Sequence, residues 1–206
     1  FEIPAYGGST YEDLVPDTLD IAERSELTIN CLTTCTNPDS DYIMYFYLRP
    51  FTNPAVIVQD FSAWCQPKFM QALPLLRLVT GSNSNDQVDR VWMEALLKSI
   101  GPDGLFYFPF GGRPWFHEDL QRWYPVVYTP EGKAVLPTDP AVNQITHPQP
   151  TSRIIGTLCV YYLRDKNPMW KEIIEKMIDR WAALAIYKDD YAYFPRALVT
   201  PNAKIP

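Results

Sequence analysis

The chain has 206 residues, 47% of them hydrophobic, enough for one domain with a substantial core or for a large piece of a bigger one. Its net charge of −6 and lack of any Lys/Arg run exclude nucleic acid as an expected partner, because phosphate binding needs clustered positive charge. No apolar stretch is long enough to cross a bilayer, so no membrane is expected either, and the start at Phe1 lacks the basic, apolar, small-residue order of a secretory signal.

Residues 1–15 read as a leading arm. A helix follows from about Asp17 to Thr34, with Asp17 or Thr18 as its cap and Asp20 and Glu23 favouring its positive end. The stretch "TNPDSD" stops it. Cys31 and Cys35 lie four apart on that helix, on one face, without the CxxC spacing or the His cluster of a zinc site, so no metal and no cofactor is expected. With Cys65 and Cys159 they read as small buried thiols of a reducing compartment. Residues 41–60 are extended in character but interrupted by Pro50 and Pro54, which predicts a loose hairpin rather than a central strand.

Four more helices are predicted over 66–80, 86–100, 151–164 and 168–186. Each carries an apolar stripe at helical spacing, such as Phe69, Leu73 and Leu76 on the first and Ile173, Ile174, Met177, Trp181 and Leu184 on the last. Pro74 is expected to kink the first. Sliding the sequence by 86 residues superposes the two pairs. Asp103 then falls on Asp189, and Tyr107-Phe108-Pro109 on Tyr193-Phe194-Pro195. Matching apolar positions come cheaply between any two helices; a shared Asp-x-x-x-Tyr-Phe-Pro at the same phase does not. The repeats, near 66–110 and 151–196, are thus helical hairpins each followed by an aromatic exit, within a single domain or a fragment spanning 1–206.

The stretches "VQDFSAWCQPKFMQALPLLRLVTGS", "VDRVWMEALLKSIGPDGLFYFP", "GRPW" and "DYAYFP" resemble an uncharacterised bacterial family related to six-hairpin glycosidases. The resemblance implies a mainly α fold: an incomplete (α/α) toroid whose long aromatic loops run to one rim and line a cleft. It also implies a carbohydrate ligand and glycoside hydrolase-like cleavage of a glycosidic bond. A non-catalytic glycan-binding or helical assembly module is the alternative, and a sugar isomerase or lyase on the same fold a further one. The ending "PNAKIP" reads as mid-protein, so the remainder of the ring, or a second copy, is the expected partner.

Cleavage by paired carboxylates needs two acidic side chains on opposite sides of a bond, and a sugar cleft needs aromatic platforms. Asp60, beside Trp64, is one carboxylate candidate, with a helix cap as its plain alternative. The densest site-like stretch is "GGRPWFHEDLQRWY". It offers Glu118 and Asp119 as catalytic acids, Arg113 and His117 for hydrogen bonding, and Trp115 and Trp123 for stacking, although consecutive charges also make an ordinary solvated turn. His147 and Arg153, flanking a helix start, can bind an anionic group. Tyr107 and Tyr193 are candidate stacking rings, though their repetition also fits a common packing role. Asp103 and Asp189 fit turn geometry, whereas Asp190, with Gly104 in the matching place, is the better binding candidate.

Overall fold

The computed structural model describes residues 20–59, 65–109 and 124–206. Five α-helices stand among them: α1 (Ile21–Thr34), α2 (Gln66–Thr80), α3 (Gln87–Lys98), α4 (Pro148–Asp165) and α5 (Pro168–Leu184). Between them run short strands: β1 (Thr36–Asn37), β2 (Ile43–Arg49), β3 (Val56–Gln59), β4 (Phe108–Pro109), β5 (Val127–Tyr128), β6 (Ala134–Val135), β7 (Gln144–Ile145), β8 (Ile186–Tyr187), β9 (Ala192–Tyr193) and β10 (Leu198–Val199).

Local chemistry accounts for the helices. Asp20 caps α1 by accepting the Glu23 N–H at 3.0 Å, and Ser25, Ile29, Leu32 and Thr33 form its buried face. Gly81 ends α2 at φ 72°, a left-handed cap that suits a residue without Cβ. Buried Val88, Trp92 and Leu96 recur every four residues along α3, and the Trp92 indole donates to the Tyr42 carbonyl at 2.7 Å. Pro148 opens α4 and Pro168 opens α5, each at a first turn where a missing N–H costs nothing. Helix α2 packs between α1 and α4, and α4 also packs on α5. The Thr157 hydroxyl of α4 crosses to the Pro67 carbonyl of α2 at 2.9 Å. Helices α2 and α3, and α4 and α5, occupy the positions of the two expected hairpins.

The strands overturn the expected mainly α, incomplete (α/α) toroid: four small sheets accompany the helices, and the fold is mixed α/β. The loops pair with one another instead of running separately to one rim. Strand β4 lies antiparallel to β7, and β10 lies parallel to β5, which in turn pairs with β6. The physical reason is the backbone. A buried loop must satisfy its N–H and C=O groups, and neighbouring loops supply the partners. The expected hairpin does form from β2 and β3, with a bulge between Tyr45 and Tyr47. Buried Ile43 and Met44 root it in the core, whereas Tyr45, Phe46, Leu48, Phe51 and Ile57 are exposed along it.

The two aromatic exits differ. In the first, Ile100 bridges Phe106, the Tyr107 N–H donates to the Ser99 carbonyl at 2.8 Å, and Leu105, Phe106, Tyr107 and Phe108 are all buried. In the second, Ile186 pairs with Tyr193, and Tyr187 with Ala192. Shifted by 86, the bridge from Ile100 to Phe106 maps onto Ile186 and Ala192, so the second exit is one residue out of register with the first. A one-residue slip exchanges the faces of a strand. What covers the exits differs as well. Helix α5 lies over the first, with Lys176 against Gly104 and Arg180 bonded to Asp103. On the second exit Tyr187 and Tyr191 stay 65% and 58% exposed.

Gly101 closes the first exit tightly. A Cβ there would stand 2.6 Å from both Cδ2 and Cε2 of Tyr107, a ring tethered through its hydroxyl to Asp103. Gly101→Ala is expected to destabilise the fold by about 1–3 kcal/mol, the usual cost of overpacking. Urea unfolding measures it, and a loss under about 0.5 kcal/mol, the size of an ordinary surface change, would show that the ring yields freely.

Candidate functional site

Eight of the expected site residues, Asp60, Trp64, Arg113, Trp115, His117, Glu118, Asp119 and Trp123, lie outside the described residues. The other five are described. Tyr107 and His147 border the β4–β7 pair but face different partners, while Asp190 and Tyr193 stand on the β8–β9 hairpin, and Arg153 is half-buried on α4.

Tyr107 belongs to a polar knot. Its hydroxyl donates to Asp103 (Oδ2 at 2.9 Å, Oδ1 at 3.0 Å), and the same carboxylate accepts from Arg180 Nε and from the Asn202 N–H, each at 3.0 Å. Arg180 also donates to the Ala203 carbonyl. Burial first, and the Asp103 charge second, push the Tyr107 hydroxyl far up, so it stays protonated. Tyr107 is 3% exposed, and it lines a groove with Gly101, Pro102 and Gln144.

His147 caps α4 in extended backbone, and the Thr151 hydroxyl returns to its carbonyl at 3.1 Å. Its ring is 1% exposed and meets the Tyr124 hydroxyl, 3.0 Å from Nδ1 and 3.4 Å from Nε2. Phe108 stands edge-on to it at 6.4 Å. Burial, with the positive Arg153 adding to it, lowers the His147 pKa to about 3. Burial also pushes up the Tyr124 hydroxyl, against the pull of Arg196. The imidazole is thus neutral at any ordinary pH. A general base must reach the proton it takes; His147 is 1% exposed, and the Tyr124 hydroxyl is its described side-chain partner.

The β8–β9 hairpin is the reverse case. Lys188, Asp189 and Asp190 form an exposed turn, closed by the Lys188 N–H donating to the Tyr191 carbonyl at 2.8 Å. Tyr191 and Tyr193, two apart on one strand face, set their ring centroids 6.0 Å apart at an interplanar angle of 34°. Tyr193 and Phe194 are 42% and 40% exposed. Beneath them buried Trp181 stands edge-on to Phe194 at 5.4 Å, and its indole N–H meets no acceptor among the described residues. Tyr187 donates its hydroxyl to the Ala182 carbonyl at 3.0 Å, which fixes its direction. Of these hairpin residues the sequence analysis named Asp190 and Tyr193 and passed over Tyr187 and Tyr191. The period-two pattern of Tyr191-Ala192-Tyr193 was the available signal.

Three further grooves of about 400–450 Å³ mark the described surface. One runs past Arg77, which forks onto Asp89 Oδ2 through Nε at 2.9 Å and Nη2 at 2.7 Å, so that pair is already satisfied. Among the described residues no group of three or more His, Cys, Asp and Glu side chains can hold a metal ion, and no helix is long and apolar enough to cross a membrane. Compared with protein-family models, with curated proteins and with solved structures, the chain matches none.

Proposed function

We propose that this chain binds carbohydrate through the β8–β9 hairpin. The observation that carries the reading is the exposed Tyr191–Tyr193 pair beside the acidic Asp189–Asp190 turn. A pyranose has an apolar C–H face and an equatorial belt of hydroxyls. Tyrosine rings cover the former at low entropic cost, and carboxylates accept hydrogen bonds from the latter. The net charge of −6 disfavours phosphate-bearing partners at the same place. Hydrolysis is the stronger form of the proposal. It needs two carboxylates roughly 5–10 Å apart across one bond, and Asp60, Glu118 and Asp119, the candidates for that work, lie outside the described residues. Binding is accordingly the form that the hairpin supports.

Titration calorimetry against a panel of neutral oligosaccharides tests it. At least one is expected to bind, and Tyr191→Ala and Tyr193→Ala are each expected to weaken it about tenfold or more, the usual loss when an aromatic anchor is truncated. Circular dichroism should show both variants folded. A panel without a binder, or binding that survives both substitutions, refutes the assignment.

A further inference from the structure

The last turn of α1 carries a feature outside the carbohydrate reading. Contrary to the expected buried thiols, Cys31, Cys35 and Cys159 are exposed, and Cys65 is half-buried. Cys31 and Cys35 are the informative pair. At 1.5 Å rise per residue their Cα atoms stand about 6 Å apart along the helix, within the range a disulfide bridges. The Cys35 N–H donates to the Cys31 carbonyl at 3.1 Å, so the helical turn holds the two residues together. Cys35 is the C-cap of the helix, with ψ 36°, so its side chain is not held in the helical lattice.

We propose that Cys31 and Cys35 form a reversible dithiol–disulfide site whose oxidant is a hydroperoxide. The Cys35 thiolate attacks the terminal peroxide oxygen. The O–O bond breaks, and an alcohol or water leaves with a proton, giving a sulfenic acid on Cys35. The Cys31 sulfur attacks that sulfur, the S–S bond forms, and the sulfenic oxygen departs as water with the Cys31 proton. Two electrons pass from the sulfurs to the peroxide. Two exchange steps with a small-molecule thiol reverse the reaction.

Several features set the behaviour of this site. Partial desolvation, and then the adjacent Cys35 sulfur, raise the Cys31 pKa and keep it a thiol until the second, resolving step. Side chains four apart on a helix keep their Cβ atoms roughly 5–6 Å apart, whereas a disulfide needs roughly 3.5–4.5 Å. Closure therefore tightens the last turn. Cys35 is tied onward, since its carbonyl accepts the Tyr45 N–H at 2.9 Å and Thr36 pairs with Met44. The pull reaches the root of the β2–β3 hairpin.

Hydrogen peroxide added to the whole chain, followed by thiol counting and tandem mass spectrometry, decides the matter. The expected product is a monomer that has lost two of its four thiols, with the bridge inside the peptide that holds both Cys31 and Cys35. A Cys159→Ser variant should behave alike. Cys31→Ser should instead leave a sulfenic acid on Cys35 that dimedone traps. Four surviving thiols, a bridge between other cysteines, a covalent dimer, or a bridge that persists in Cys31→Ser each overturn the proposal.

Discussion

Asp103→Ala is expected to cost about 3–5 kcal/mol of folding stability, the range for removing one partner of a buried ion pair. The Asp103 side chain is 6% exposed and serves three donors that come from three places: Tyr107 in its own exit, Arg180 on α5, and the Asn202 N–H near the end of the described chain. Alanine satisfies none of them and leaves Arg180, still bonded to the Ala203 carbonyl, without its counter-charge. Asp103→Asn keeps an acceptor but loses the charge, and should fall between wild type and alanine. The internal control is Asp189, which occupies the same place in the second repeat but is exposed. Asp189→Ala should change stability by no more than about 0.5 kcal/mol, as surface substitutions do. Denaturant midpoints at constant m-value give both numbers. Equal effects at the two positions would dissolve the distinction between a covered and an uncovered exit.

The second large effect is one of pH. An unfolded histidine takes up its proton near pH 6.5, but His147 in the folded chain stays neutral down to about 3. Between those values the unfolded chain binds more protons, so stability rises with pH and falls as the medium is acidified. From pH 6.5 to pH 5 the loss attributable to His147 is about 2 kcal/mol. His147→Gln keeps a hydrogen-bonding side chain without a proton to bind and should flatten that part of the profile. The lowered carboxyls of Asp165 and of Glu131 act at lower pH, and His117, the other histidine, is common to both proteins, so the difference between their profiles from pH 5 to 6.5 reports His147. Thermal or urea unfolding of both proteins across that interval is the measurement, and parallel slopes would show that His147 does not set this dependence.

How far the sequence carried the fold can be judged element by element. The helices were readable because their periodicity is local: 66–80 was expected and Gln66–Thr80 is found, and Val88 and Trp92 mark the inner face of α3 from composition alone. The sheets were not. A two-residue strand such as Phe108–Pro109 has no period to detect, and its partner Gln144–Ile145 comes from a distant loop with no apolar alternation of its own. Nor could Tyr107 and Tyr193 be separated. Their neighbours in sequence are alike, and the difference is whether a later helix lies on top. The cysteines, by contrast, were misread from information already present. Ile29, Leu32 and Thr33 define the inner face of α1, and Cys31 and Cys35 fall outside it.

The knot at Asp103 has a consequence for how the chain is made. Its carboxylate and the Asn202 N–H are 99 positions apart. At a synthesis rate of roughly 5–20 residues per second, the first exit leaves the ribosome roughly 5–20 seconds before its last partner. Until α5, which ends at Leu184, has followed, Phe106, Tyr107 and Phe108 have no helix to shelter them, and the Asn202 N–H comes later still. Nascent chains stalled between the two repeats should therefore be the species that chaperones hold, and release should coincide with the emergence of the final turn.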